Sequence, residues 1–102
     1  MSRMDRLQEL VSAQPDDAEL HYMLAMEYKS AGHLAEALAK FDDCIRLNPS
    51  YSPAYFQMGN ACAAAGRLEQ ARRSLALGIE KARLAGDLHA AEEMQAAMNA
   101  LL

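Results

Sequence analysis

Shifted against itself by 34 residues, the chain keeps meeting residues of matching size and shape. Gly32 falls on Gly66, Ala31 on Ala65, Leu34 on Leu68 and Ala37 on Ala71. His21 meets Tyr55, Tyr22 meets Phe56, Leu24 meets Met58 and Ala25 meets Gly59. The series Leu7, Phe41, Leu75 and Val11, Ile45, Ile79 stay apolar at every step, and Pro15 falls on Pro49. A fixed period of this length belongs to architectures in which each unit is one supersecondary element. Such a unit buries its apolar face only by stacking on its neighbours.

Inside the period, the small and breaking residues divide each unit into two helices joined by a tight turn. Gly32 and Gly66 follow the first helix of each unit, where glycine takes the left-handed conformation that ends a helix. Pro49 ends the second helix, because it cannot continue the hydrogen-bond ladder. Ala25, Gly59, Ala37 and Ala71 are small where helices approach closely, and Phe41 and Leu75 fill the space beside them. This punctuation predicts six helices over about 2–13, 17–30, 34–47, 52–65, 68–84 and 87–101. Asp16 or Asp17, Ser52 and Asp87 are the expected N-caps, with Pro53 in the first turn of the fourth helix. Loops of a few residues suit antiparallel helix pairs.

The spacing and the residue sizes together resemble the tetratricopeptide repeat family, whose pattern runs W-x₂-L-G-x₂-Y…A-x₃-F…P. The first full unit supplies His21, Leu24, Ala25, Tyr28, Ala37, Phe41 and Pro49. The second supplies Tyr55, Met58, Gly59, Cys62, Ala71, Leu75 and Arg83. The departures are His21 and Tyr55 for Trp, and Arg83 for Pro, which lets the fifth helix run on to Leu84 or Ala85. The resemblance implies an all-α fold, a right-handed superhelix of antiparallel helix pairs. Residues 1–102 read as one domain, with an N-terminal half-repeat helix at 1–15, repeats at 16–49 and 50–85, and a C-terminal capping helix at 86–102. The sixth helix starts in phase, since Leu20, Ala54 and Leu88 align. It then places Glu92 and Glu93 where Met58 and Gly59 stand, and carboxylates there are costly to bury. A capping helix with a wet outer face accounts for this; the alternative is a piece of a longer array.

The resemblance also implies function. In this family the first helices of successive units line a concave groove that holds extended or helical peptides of partner proteins. With His21, Leu24, Ala25 and Tyr28 facing the core, helical spacing leaves Tyr22, Met26 and Lys29 for the groove. By the same reasoning Phe56, Gln57 and Asn60 line it from the fourth helix, and Met94 and Met98 from the sixth. Tyr22 and Phe56 would be the energetic anchors of an exposed apolar surface. Some family members clamp a terminal carboxylate with Lys, Arg and Asn. The corresponding lining here is Tyr22, Met26, Gln57, Asn60, Asp87 and Ala91, of which only Asn60 suits that role, so no such clamp is expected.

Other classes fare worse. A net charge of −4 opposes a nucleic-acid role, which needs a basic footprint. Residues 1–60 hold nine acids and five bases, and residues 61–102 five of each. No run of 18 apolar residues is present, so no membrane partner is expected and the default location is cytoplasmic. Cys44 and Cys62 have no CxxC spacing and read as buried, reduced packing residues. His21, His33 and His89 lie far apart in sequence, so no helix-face zinc pair forms. Asp16–Asp17, Asp42–Asp43 and Glu92–Glu93 are sequence neighbours that point in different directions on a helix. Catalytic residues, metal and cofactor are therefore expected to be none. The expected partner is a protein or peptide, with a homo-oligomer through the apolar groove or the terminal helices as the alternative.

Overall fold

The structure, a computed structural model, describes residues 1–101. Among them are six helices and no strands: α1 (Arg3–Ala13), α2 (Ala18–Ser30), α3 (Leu34–Leu47), α4 (Ser52–Ala64), α5 (Leu68–Leu84) and α6 (Leu88–Asn99). The helix boundaries fall close to those the repeat predicts. Asp17 caps α2 by accepting from the Leu20 backbone N–H, and Asp87 caps α6 through Ala90. Ser52 does not cap α4. It is the first helical residue, Tyr51 is the N-cap without a side-chain bond, and Pro53 sits in the first turn. Ser2 and Asp5 form a reciprocal capping box at the start of α1, which satisfies two orphan donors. Gly32 and Gly66 have φ of +80° and +78°, the left-handed turn that side chains resist.

Residues divide into two compact units, Met1–Asn48 and Pro49 onward. In the first, α2 packs on both α1 and α3. Its core holds Leu7, Val11, Leu24, Ala25, Ala37, Phe41 and Cys44, all buried. Tyr28 ties α2 to α1 by accepting a hydrogen bond from Gln8 Nε2 at 3.0 Å. Arg3 of α1 pairs with Glu27 of α2.

In the second unit, α4 packs on α5, and α5 also carries α6. Leu75, Ile79, Ala82, Ala91 and Met94 form one buried cluster, with Phe56, Ala97, Met98 and Leu101 packed against it. Two glycines set the helix approaches. A Cβ on Gly59 would lie 2.7 Å from Leu75 Cγ, and one on Gly78 would lie 2.5 Å from Met94 Sδ and 2.8 Å from Tyr55 Cβ. Gly59 is the close approach anticipated from the repeat; Gly78, the counterpart of Cys44, has no glycine at its repeat position.

The ring residues His21 and Tyr55, which fall on each other across the repeat, share a second role. His21 Nε2 donates to the Pro15 carbonyl at 2.7 Å, and Tyr55 Oη donates to the Pro49 carbonyl at 2.9 Å. In each unit the polar edge of the ring thus binds the carbonyl of the proline six residues earlier. A proline cannot donate, but its carbonyl still needs a donor when a helix packs over it.

Candidate functional site

In the first unit the expected binding residues stand on α2. Tyr22, Met26 and Lys29 are all half-buried, and spacings of four and seven residues set them on one side of the helix. The Tyr22 ring lies 6.0 Å from the Phe41 ring at 57°, a tilted geometry that aromatic pairs favour. Burial raises the Tyr22 pKa, and the nearby Cys44 thiol raises it further, so the phenol stays neutral and can donate a hydrogen bond.

On α4 of the second unit, Phe56, Gln57 and Asn60 are half-buried. Asn60 lies four residues from Phe56 and three from Gln57, so an amide pair stands beside an aromatic ring on one helix side. Phe56 is also held from below, where it packs against the cluster of Leu75, Ile79, Ala82, Ala91 and Met94.

On α6 the expectation fails at Met94. Its side chain is 1% exposed and belongs to the core, seated in the space that Gly78 leaves open. Met98 is half-buried against the same cluster. The reason is the direction in which α6 packs. α4 packs on the helix that follows it, whereas α6 packs on α5, which precedes it. At about 100° per residue, burying Ala91 and Met94 turns nearly the opposite side of the helix inward from the one repeat phase selects. Leu88, aligned with the buried Ala54, is accordingly 64% exposed. Glu92 and Glu93 face water, as their charge requires. Each unit therefore presents its own candidate face: Tyr22, Met26 and Lys29 on α2 in the first, and Phe56, Gln57 and Asn60 on α4 in the second.

His21 is buried, its Nδ1 lacks a hydrogen bond, and Asp43 Oδ2 lies 3.7 Å away. Asp43 in turn pairs with Lys40 and Arg46 on α3. Cys44 and Cys62 are buried free thiols, and burial pushes the Cys44 thiol up to about 11, which suppresses the reactive thiolate. Among the described residues no cluster of His, Cys, Asp or Glu has the arrangement to hold a metal, and no helix is long and apolar enough to cross a membrane.

A family model described as tetratricopeptide repeat matches residues 28–101. A TPR repeat-containing protein of Pseudomonas aeruginosa is 31% identical over 91 residues, which are 89% of this chain and 87% of that protein. The solution structure of a protein from Bordetella parapertussis superposes with a TM-score of 0.85 at 23% identity. That match covers 99% of this chain and 88% of the other, a likeness of fold. The first TPR of Spaghetti (RPAP3), solved bound to the HSP90 peptide SRMEEVD, is similar at a TM-score of 0.78 and 26% identity, over 96% of this chain and 76% of that one.

Proposed function

The chain belongs to the tetratricopeptide repeat family, and we propose that it is a non-catalytic binding module holding a peptide or helical segment of a partner protein. The observation that carries this reading is a recurrence. An aromatic ring, Tyr22 or Phe56, stands half-exposed at the same repeat position in each unit. Four residues on, Met26 or Asn60 extends the same side of the helix. Aromatics bury large area at little entropic cost and anchor interfaces. Amides such as Gln57 and Asn60 match the donors and acceptors of a peptide backbone.

Affinity capture from the source cell, with wild type beside a Met26→Ala, Asn60→Ala double variant, tests the reading. Both changes truncate half-buried side chains to a good helix former, so the fold is expected to persist by circular dichroism. A partner retained by wild type and depleted at least about tenfold by the variant, a loss of about 1.4 kcal/mol, supports it. Equal retention by both places the contact elsewhere. A wild-type chain that captures only its own copies indicates self-assembly instead.

A further inference from the structure

The outer side of α5 departs from the repeat. On the first unit, the positions 34 residues earlier are Asp43 and Ser50; on the second they are Leu77 and Leu84. α5 also runs for 17 residues against 14 in α3. The extra residues make position 84 helical, and a spacing of seven sets Leu84 on the same side as Leu77, about 10 Å along the axis. Leu77 is 47% exposed and Leu84 77% exposed. At the Leu77 position the repeat itself supplies the control: the first unit forms the corresponding helix pair with an aspartate there, and Ser50 lies beyond the end of α3. Packing therefore does not require leucine there, and an apolar stripe that packing does not use marks a contact surface.

Charge defines what would cover it. Arg73 precedes Leu77 by one turn and Lys81 follows it by one turn, both within about 40° of Leu77 around the helix, against a single acid there, Glu80. Among the described residues Arg73 is exposed, and neither it nor the half-buried Lys81 carries an ion-pair partner. This local excess of cations sits on a chain whose net charge is −4. We propose that the stripe of Leu77 and Leu84 is a second docking surface. Its occupant is an amphipathic helix of a partner protein that carries carboxylates beside its apolar residues. Leucines one heptad apart fit the a-type spacing of such a helix, and the flanking cations steer acidic partners and reject basic ones. The surface uses none of the α2 and α4 residues named above and is small, so the contact is of the weak, transient class.

The test titrates the full chain, carrying ¹³C-labelled leucine methyls, with a synthetic amphipathic helix bearing leucine at every seventh position and glutamate beside it. A control peptide replaces each glutamate by lysine. The expected result is a saturable shift of the Leu77 and Leu84 methyls with the glutamate peptide, with Kd on the order of 100 µM. It weakens as salt is raised and is at least about tenfold weaker for the lysine peptide. Leu77→Gln with Leu84→Gln, read by fluorescence anisotropy of the labelled glutamate peptide because this variant lacks both reporter methyls, abolishes binding without altering the melting temperature. Arg73→Glu with Lys81→Glu, which leaves both leucines in place, reverses the preference between the two peptides. Equal binding of both peptides, or no methyl shift at about 1 mM peptide, overturns the proposal. So does a wild-type mass that rises with concentration and is held monomeric by the leucine variant, which would make the stripe an interface between copies. Co-sedimentation of wild type, but not of the variant, with phosphatidylserine–phosphatidylcholine vesicles would assign the stripe to a lipid surface and equally overturn it.

Discussion

At the scale of single residues, the ring residues His21 and Tyr55 show how a polar atom is used at one repeat position. Tyr55 fills the ring position and its hydroxyl reaches the Pro49 carbonyl at 2.9 Å. Tyr55→Phe keeps the ring and removes only the donor. The loss is expected to cost about 1 kcal/mol, which lowers the melting temperature by about 4–8 °C for a chain of this size; thermal unfolding by circular dichroism checks it. The pairing was legible in outline, because Pro15 and Pro49 stand six residues before His21 and Tyr55 in both units. Its bond was not, since a ring position gives no sign of where its polar edge points. Asp42 supports a second residue-scale prediction. Although it lies at the surface, partial burial of its carboxyl raises its pKa, adjacent Asp43 raises it further, and Arg46 partly offsets both. A carboxyl with a raised folded pKa contributes stability in acid, and that contribution is lost as pH climbs through the folded value. At neutral pH the ionised Asp42 is therefore slightly unfavourable. Asp42→Asn is expected to melt about 1 °C higher at pH 7, a small effect because the group is solvated. That gain should vanish below about pH 4, where both forms are neutral. A melting-temperature series against pH reads the sign, and a variant that melts lower at pH 7 would refute it.

Among the elements, the first five helices follow directly from the repeat, because glycine, proline and capping residues mark their ends and the 34-residue shift marks their inner sides. α6 is where that legibility stops. Its sequence aligns Leu88 with Leu20 and Ala54, yet the helix buries Ala91 and Met94 and leaves Leu88 exposed. In α4 the in-phase side serves a helix packed on the one after it, whereas α6 packs on the helix before it. The signal that could have shown this was Gly78, a glycine inside an otherwise strong helical stretch. Gly78→Ala is expected to force Met94 and the Tyr55 backbone region apart, an overpacking cost of about 1–3 kcal/mol. Met94→Ala alone leaves a cavity costing about 2–5 kcal/mol. Since one side chain fills the space the other vacates, the double variant should be less destabilised than the sum, by about 1 kcal/mol or more. Denaturant unfolding of the four species measures the coupling, and strict additivity would show that Met94 does not depend on the missing Cβ. Amide exchange adds a locating readout: Gly78→Ala should speed exchange in Leu88–Asn99 more than in Ala18–Ser30.

For the molecule as a whole, fold and ligand come apart. The similarity to a structure bound to the HSP90 peptide SRMEEVD extends over nearly the full chain, but a shared fold does not carry a shared ligand. The peptide presents two glutamates, an aspartate and a terminal carboxylate, and each anion that leaves water needs a cation or several donors in return. The α2 and α4 faces offer Tyr22, Met26, Phe56, Gln57 and Asn60, with Lys29 their one cation. Residues 1–48 hold nine acids against five bases and so carry the whole net charge of −4. A field of that sign lowers the local concentration of an anionic peptide instead of raising it. SRMEEVD is therefore expected to bind this chain with Kd above about 1 mM, a free energy weaker than about −4 kcal/mol. The sign of the salt effect distinguishes the physics. For a peptide excluded by net repulsion, lowering the ionic strength lengthens the screening distance and weakens binding further. For a carboxylate clamp it strengthens binding. Fluorescence anisotropy of labelled SRMEEVD across a salt series reads both quantities at once. Saturable micromolar binding that tightens at low salt would mean that cations outside these two faces converge on the peptide terminus, and the identity of the binding side chains would have to be reassigned.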